Sequence, residues 1–390
     1  MNFEEIDIDR TEIAQSKLNI ENKTRSNLFA WNGQFSPQFV EYLLDQYAYS
    51  DCVVIDPFLG SGTTIYECAR KGISAFGMEL NASAYHIAKV YEFCNIPHSE
   101  REQIFQQATV LIEGCDEGFD ISTIIKAIDD NKGTALGNLL AALVVLMDVY
   151  YNKDYADVVH KKWKKLKETV AAFPYTESSI IAKLGDSKRM EIDDDSADLL
   201  ITSPPYINVF NYHQKYRGSV ELLGYNVLGI AKGEIGSNRK NRGNRLLTVI
   251  QYCIDMALSL KEASRVCKSN ARMVYVVGRE SNVLGYSFCN SKLIYNIATE
   301  LLGFQFELRQ ERVFKNRFGQ MIYEDILHFS NVKLSEEMTE EKIIHGARSI
   351  AMRDLDEKLR ALPDSEKASF LADAIAKINT VQKSEAHYGC

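Results

Sequence analysis

The sequence lacks an excess of positive charge. Its 390 residues include 45 basic and 53 acidic side chains, which gives a formal net charge of -8. A protein that coats nucleic acid is usually strongly basic, so this composition argues against such a role. An enzyme that acts on nucleic acid needs only a local basic surface, so a negative net charge does not argue against such an enzyme.

Cysteine motifs and long apolar runs are also missing. The eight cysteines include no Cys-x-x-Cys pair, so we interpret them as reduced thiols in the core. Only His213 lies near the motifs described below, without a second histidine or cysteine at ligand spacing, and we predict no metal site. The apolar run 139–147 is too short to span a bilayer of about 30 Å. The first ten residues are acidic and do not resemble a signal peptide, so we expect a cytoplasmic protein.

A glycine turn follows a run typical of a buried strand. Residues 52–64 read Cys-Val-Val-Ile-Asp-Pro-Phe-Leu-Gly-Ser-Gly-Thr-Thr, and a helical pattern comes next. Gly60 and Gly62 lack a Cβ atom, so a ligand can approach the backbone there, at the N-terminus of a helix. The Gly-x-x-x-x-Gly-Lys-Ser/Thr pattern is absent, which argues against a nucleoside triphosphate.

An acidic residue ends the next predicted strand, 73–78. A carboxylate at this position, Glu79, can accept hydrogen bonds from both hydroxyl groups of a ribose. Glu79 could instead be a solvated charge at a strand end. The preceding glycine turn favours a nucleoside site.

Two consecutive prolines end a further predicted strand, 198–203. Pro204 and Pro205 cannot continue a β-ladder, and they set a stiff turn at the sheet edge where open α/β proteins bind ligands. The turn can aim the Ser203 side chain and a backbone carbonyl at one polar group, while Tyr206 offers a ring face. Alone, the turn is compatible with an ordinary loop. With the glycine turn, it indicates a holder for a flat molecule that carries an amino group.

Taken together, these segments resemble the amino-methylating DNA methyltransferases that use S-adenosylmethionine. The specific matches are 56–64, for the cofactor loop, and 203–206, for the catalytic motif. Looser matches are 27–40, for the segment that closes over the cofactor, and 185–187, where an acidic residue contacts the adenine. The resemblance runs from about Asn27 to Asn331. It implies cofactor contacts from Asp56, Pro57, Phe58, Gly60, Ser61, Gly62, Thr63, Glu79, Asp186, Phe35 and Ser36, and catalytic roles for Ser203, Pro204, Pro205 and Tyr206.

The resemblance also implies a reaction. Ser-Pro-Pro-Tyr is more common in enzymes that methylate cytosine N4, so we expect a methyl transfer from S-adenosylmethionine to a cytosine that is flipped out of DNA. Adenine N6 is the close alternative, and a catalytically idle DNA-binding module with the same fold is an alternative of another class. No Pro-Cys nucleophile is present, which argues against methylation of a cytosine ring carbon.

The remaining patterns predict an α/β fold with additions. We expect a Rossmann-like, mostly parallel sheet of the class I methyltransferase type, with strands 52–56, 73–78, 179–184, 198–203 and 271–278 and an antiparallel hairpin at 305–314 and 322–329. The expected divisions are an N-terminal arm with the closing segment (1–50), two halves of the methyltransferase domain (51–96 and 179–331), a helical insertion (97–178) and a charged helical tail (332–390). Packing on the core, dimerisation and DNA contact are all open for the tail.

Basic and aromatic segments predict the DNA surface. The glycine- and asparagine-rich loop 232–245 holds five basic residues, and arginine forks and asparagine amides suit phosphates and base edges. The expected DNA contacts are Asn238, Arg239, Lys240, Arg242, Arg245, Tyr212, His213 and Arg217. The lysines around Trp163 fit the solvated face of a helix better than a DNA contact. The expected partners are double-stranded DNA and, as separate chains, restriction endonuclease or defence-system subunits, with the protein itself a monomer or dimer.

Overall fold

A seven-stranded mixed sheet forms the centre of the molecule. The computed structural model describes residues 2–113, 120–149, 155–207, 212–237, 241–316, 319–361 and 367–387. Their strands are β1 (Val53–Asp56), β2 (Ser74–Glu79), β3 (Ile180–Leu184), β4 (Ala197–Thr202), β5 (Cys267–Gly278), β6 (Glu280–Val283), β7 (Tyr286–Cys289), β8 (Gln305–Lys315) and β9 (Met321–Ser330). The order across the sheet is β3-β2-β1-β4-β5-β9-β8, and β6 and β7 form a separate hairpin.

The first five strands of the large sheet run parallel, and β9 pairs antiparallel with both β5 and β8. This arrangement confirms the Rossmann-like α/β prediction, including the antiparallel C-terminal hairpin. The chain order reverses between β1 and β4, so their carboxyl ends flank the crevice in which open α/β sheets bind ligands.

Helices cover both faces of the sheet. They are α1 (Gln15–Leu18), α2 (Pro37–Tyr47), α3 (Thr63–Lys71), α4 (Ala82–Lys89), α5 (His98–Glu113), α6 (Ile121–Asp130), α7 (Ala135–Met147), α8 (Tyr155–Ala171), α9 (Arg217–Leu222), α10 (Val227–Ala231), α11 (Leu247–Val266), α12 (Asn290–Asn296), α13 (Glu340–Ala361) and α14 (Ala368–Ala376). Short 3-10 turns lie at Phe3–Glu5, Val90–Asn95, Tyr212–Gln214 and Ile378–Thr380, and a π-turn at Ile297–Leu301. One core lies under α2, α3, α4 and the insertion, and the other lies under α11, α12 and α13.

Helices α5 to α8 form the insertion. The side chain of Arg101 is buried and donates to the carbonyls of Ile96 at 2.7 Å and Phe173 at 2.7 Å, so it joins the two ends of the insertion. Helix α7 ends at Met147, where Asp148 adopts a left-handed φ of 53°. Trp163 packs on Phe105 in the core, and Lys161, Lys164 and Lys165 are exposed, which agrees with an amphipathic helix.

The hairpin of β6 and β7 has no counterpart in the sequence prediction. Its turn places Leu284 at a φ of 55° and Gly285 at 92°, and Asn282 accepts a hydrogen bond from the Gly285 N–H at 2.9 Å. Each strand has only four residues and mixes polar with apolar positions, which leaves little periodic signal.

The C-terminal tail packs on the core of the protein. Helix α13 lies along α11, and α14 packs against α13. Residues 381–387, which we call the strap, then return across the start of α11. The Ser384 N–H donates to Asp255 Oδ1 at 2.7 Å and the Ser384 hydroxyl donates to the Gly233 carbonyl at 2.9 Å. The strap thereby reaches the edge of the crevice.

Candidate active site

A cavity of about 1140 Å³ lies at the carboxyl ends of the parallel strands. Both predicted motifs line it. The predicted cofactor residues on its wall are Phe35, Ser36, Asp56, Pro57, Phe58, Gly60, Ser61, Thr63, Glu79 and Asp186, and all four residues from Ser203 to Tyr206 are there too. Of the predicted cofactor residues, Gly62 is the one that does not line the cavity.

The two glycines of the turn have different roles. Gly60 adopts a φ of 55°, and a Cβ atom there would meet only Trp31, at 4.0 Å, so the backbone is open to a ligand. Gly62 adopts a φ of 94°, and a Cβ atom there would lie 2.7 Å from the Tyr91 ring. Close approach by a ligand therefore explains Gly60, whereas packing against Tyr91 explains Gly62.

Asp56 joins the glycine turn to β4, the strand that leads into the Ser-Pro-Pro-Tyr turn. Its Oδ1 accepts from the Phe58 N–H at 3.1 Å and from the Thr202 hydroxyl at 2.6 Å. Its Oδ2 accepts from the Thr64 hydroxyl at 2.6 Å. Burial raises the pKa of Asp56 to about 6, although these three hydrogen bonds act to lower it. Both oxygens of Asp56 thus bond to other protein groups, so the main role of Asp56 is to hold the glycine turn and β4 together rather than to bind a ligand.

Glu79 points into the cavity from the end of β2. Its Oε2 accepts from the Gly60 N–H at 2.6 Å, and its Oε1 accepts from the Asn81 N–H at 2.7 Å. Burial raises the pKa of Glu79 to about 7. Each carboxylate oxygen keeps acceptor capacity beyond its one backbone donor, which suits a pair of ribose hydroxyls.

The N-terminal closing segment is fastened to the glycine turn by two amides. Asn27 Nδ2 donates to Thr63 Oγ1 at 2.9 Å, and Gln34 Nε2 donates to Ser61 Oγ at 2.6 Å. Ser36 Oγ is shielded from solvent at the start of α2 and has no hydrogen-bond partner among the described residues. The resemblance predicted from the sequence covers this segment, 27–40, but it does not identify the polar side chains that reach the glycine turn.

Asp186 lies at the end of β3 beside a lysine. Its Oδ1 accepts from the Lys188 N–H at 2.9 Å, and its Oδ2 lies 3.0 Å from Lys188 Nζ. Lys188 Nζ also donates to Ser384 Oγ of the strap at 3.0 Å. The carboxylate is therefore held in place, and its position depends on the tail.

The Ser-Pro-Pro-Tyr turn leaves the sheet directly after β4. The Tyr206 ring lies against Gly278 at the end of β5, where an added Cβ atom would be 2.5 Å from the ring. The Tyr206 hydroxyl donates to Glu324 Oε1 at 3.3 Å. Burial raises the pKa of this phenol well above its ordinary value, nearby Glu324 adds to the shift, and Ser203 opposes it. Tyr206 therefore stays protonated and serves as a fixed ring face.

Side chains from β5 and the C-terminal hairpin complete the wall next to Tyr206. Arg312 donates to Glu324 Oε2 at 3.0 Å and lies over the Phe314 ring, 4.5 Å from its centroid. Arg279 lies over the Tyr323 ring at 5.3 Å, and Tyr323 is exposed at the rim. None of these residues was singled out from the sequence, because strands so far along the chain gave no motif.

The predicted DNA residues fall into separate groups. Tyr212 and His213 line the cavity, whereas Arg217 pairs with Glu221 at 2.7 Å on the outside. Arg242 and Arg245 are exposed, and neither makes an ion pair with a residue that the structure describes. Asn238, Arg239 and Lys240 lie outside the described residues.

The charge of the cavity suits a cationic ligand. Among the described residues that line it, six are acidic and three are lysine or arginine. The acidic ones are Asp56, Glu79, Asp186, Glu234, Glu280 and Glu324, and the basic ones are Lys23, Arg279 and Arg312. With the partnerless Ser36 hydroxyl and the open backbone at Gly60, these residues fit S-adenosylmethionine, which carries a positive sulfonium.

Metal and membrane signals are absent from the part of the chain that is described. No group of three or more histidine, cysteine, aspartate or glutamate side chains there could hold a metal ion. No helix in these ranges combines the length and apolarity needed to cross a bilayer.

Comparison with known proteins finds similarity to DNA methylases over a small part of the chain. Residues 9–90 match the DNA methylase family. The Type II methyltransferase M.MjaII of Methanocaldococcus jannaschii is 40% identical over 60 residues, which is 15% of this chain and 11% of that protein. The predicted resemblance to DNA amino-methyltransferases is thus confirmed over a small part of the chain, and the match supports S-adenosylmethionine as the cofactor.

The following two methyltransferases are among the solved structures that match part of this chain. An S-adenosylmethionine-dependent methyltransferase from Methanosarcina mazei is 12% identical with a TM-score of 0.36, over 75% of this chain and 98% of that chain. A TehB-like S-adenosylmethionine-dependent methyltransferase from Corynebacterium glutamicum is 9% identical with a TM-score of 0.30, over 75% and 87% of the two chains.

Proposed function

We propose that this chain, whose residues 9–90 match the DNA methylases, transfers a methyl group from S-adenosylmethionine to the exocyclic N4 of cytosine in DNA. The observation that carries the proposal is that the glycine turn and the Ser-Pro-Pro-Tyr turn face one cavity. The hydrogen bond between Asp56 and Thr202 sets the distance between the two turns. Holding the methyl donor and its acceptor in a fixed orientation accelerates such a transfer, and it does so without an ionised catalytic side chain.

The cofactor would lie against the glycine turn. Glu79 would accept from its ribose hydroxyls, Asp186 would face its adenine, and the Ser36 hydroxyl would meet its methionine end. When bound, S-adenosylmethionine supplies an electrophilic methyl group. The protein contributes position and an acidic environment on this side of the cavity.

The Ser-Pro-Pro-Tyr turn would hold the base. The amino group of cytosine is a poor nucleophile because its lone pair is delocalised into the ring. The Ser203 hydroxyl and the Pro204 carbonyl would accept hydrogen bonds from its two protons, which localises the lone pair. Tyr206, fixed by Gly278 and Glu324, would stack on the ring. A base inside a duplex cannot reach this turn, so it must be flipped out.

One experiment tests both the activity and the base. Plasmid DNA is incubated with the purified protein and isotopically labelled S-adenosylmethionine, and the digested nucleosides are identified by mass spectrometry. We expect labelled N4-methylcytosine. Labelled N6-methyladenine alone would replace cytosine with adenine as the substrate, and absence of label from DNA, with cofactor binding retained, would favour the idle DNA-binding module.

A further inference from the structure

Glu234 is a buried carboxylate that forms no hydrogen bond with the residues that the structure describes. The residue is 8% exposed, and it is part of the cavity wall. Neither of its carboxylate oxygens has a hydrogen-bond partner among the described residues. Leaving a carboxylate in this state costs free energy, so a missing hydrogen-bond donor is the simplest physical account of it.

A histidine ring lies beside Glu234. His213 Nε2 lies 3.0 Å from Glu234 Oε1, but the two are not aligned as a hydrogen bond. On its other side, His213 Nδ1 lies 3.2 Å from Asn81 Nδ2. The Asn81 backbone N–H in turn donates to Glu79 at 2.7 Å. One imidazole ring and one asparagine thus separate Glu234 from the carboxylate proposed for the ribose.

A second chain of contacts leads from the residue before Glu234 to Asp186, which is proposed to face the adenine of the cofactor. The carbonyl of Gly233, the preceding residue, accepts from Ser384 Oγ at 2.9 Å. Ser384 Oγ also accepts from Lys188 Nζ at 3.0 Å, and Lys188 Nζ lies 3.0 Å from Asp186. Glu234 therefore lies between the elements that carry Glu79 and Asp186.

We propose that Glu234 is a third carboxylate of the cofactor site and accepts a hydrogen bond from the adenosine part of S-adenosylmethionine. This inference rests on the proposed function. It gives the partnerless carboxylate an N–H or O–H donor, and it explains why a lone acidic residue occupies an otherwise basic segment. His213 acts as a positioning residue, since its ring lies between Glu234 and the residue that caps α4.

The test is ligand binding, which needs no turnover. Calorimetry compares the wild type with Glu234→Gln for S-adenosylmethionine and for S-adenosylhomocysteine, which lacks the positive charge. The glutamine amide oxygen can still accept a hydrogen bond, but the loss of the carboxylate charge should weaken that bond and raise Kd about tenfold. The two ligands should be affected equally, because they share the adenosine. Glu307→Gln is the matched control, since Glu307 does not line the cavity and its carboxylate accepts from the Ser330 hydroxyl at 2.7 Å.

Three outcomes would overturn the assignment. An unchanged Kd for both ligands would remove Glu234 from the cofactor site, and a loss confined to S-adenosylmethionine would place it at the sulfonium. An unchanged Kd with a raised KM for DNA would place it at the base. If Glu234→Gln does not fold, Glu234→Asp retracts the carboxylate by one methylene and should give the same shared loss. A wild type that binds neither ligand would instead contradict the proposed function.

Discussion

The Thr202 hydroxyl donates a 2.6 Å hydrogen bond to Asp56 Oδ1, and so connects the last residue of β4 to the last residue of β1. The strands that carry the two turns are neighbours in the sheet, and this bond fixes their ends relative to each other. Asp56 is 146 positions away from Thr202 in the sequence. The relative position of the two turns thus depends on a buried pair that has no contact with either substrate in the proposed mechanism.

Replacing Thr202 should weaken catalysis more than cofactor binding. Thr202→Val keeps the side-chain volume but removes the hydroxyl that donates to Asp56. The Ser203 turn is then no longer held at a fixed position relative to the glycine turn. We expect kcat to fall about tenfold or more, since small misplacement of reacting groups is costly. Thr64→Val is the control, because it removes the donor on the cofactor side of the same carboxylate. That control should mainly raise the Kd for the cofactor. The same effect from both variants would contradict the assignment of Thr202 to catalysis and Thr64 to cofactor binding.

Removing the Ser203 hydroxyl should abolish most turnover. Ser203→Ala deletes one of the two proposed acceptors for the amino protons, and we expect kcat to fall about a hundredfold or more. The Kd for S-adenosylmethionine should stay within about twofold, because Glu79 and the glycine turn are untouched. Methylation is measured by label transfer and binding by calorimetry. A Ser203→Ala protein with full biological activity would speak for a binding module instead of an enzyme.

The ring position of Tyr206 should depend on Gly278. In Gly278→Ala the added methyl group would lie 2.5 Å from the Tyr206 ring, so the ring must move. We expect at least a tenfold loss of kcat/KM for DNA with little change in cofactor affinity. Tyr206→Phe is the control, since it keeps the ring, removes the hydroxyl that bonds to Glu324 and should cost a few fold. Equal losses in the two variants would show that the hydroxyl matters more than the ring face.

Cofactor affinity should fall in acid. Burial raises the pKa of Glu79 from 4.5 to about 7, so the carboxyl is mostly ionised at pH 8 and mostly protonated at pH 6. The ionised form accepts from both ribose hydroxyls, whereas the protonated form gives up part of that capacity. If only the ionised form binds well, the Kd at pH 6 should be about tenfold higher than at pH 8. Glu79→Gln should bind weakly and flatten this profile, and an unchanged profile in that variant would assign the titration to another group.

The exposed arginines of the basic loop should determine the salt dependence of DNA binding. Arg242→Ala and Arg245→Ala should each weaken binding and reduce the slope of log K against log salt by about one. Arg217→Ala is the control, because Arg217 is already paired with Glu221. Its slope should change less. Anisotropy titrations between 50 and 200 mM salt measure all three variants, and equal slopes throughout would remove the loop from the interface.

Local patterns predicted much of this protein. Local signals sufficed for all seven strands of the large sheet, because the five parallel strands contain apolar runs, and β8 and β9 flank a turn that contains Asn316 and Gly319. The two motifs were recognisable since their chemistry lies in consecutive residues. Glu79 could be singled out as well, because it follows the glycine turn by one strand and one helix.

Long-range contacts could not be predicted from these local sequence patterns. Nothing in the sequence tells that Tyr91 occupies the space beside Gly62, or that Gly278 provides the floor under Tyr206. Nor does the sequence indicate that the Arg101 side chain is buried among backbone carbonyls. These relationships arise from tertiary packing, for which a single sequence carries no periodic signal.

The strap has a consequence for how the protein is made. Ser384 is 196 positions beyond Lys188 and 151 beyond Gly233, and it bonds to both of them. A ribosome delivers the glycine turn and the Ser-Pro-Pro-Tyr turn long before it delivers residue 384. Contacts across such separations form late, since the intervening chain must first be ordered. The nascent protein can therefore assemble its central sheet while the nucleoside end of its crevice still awaits the strap.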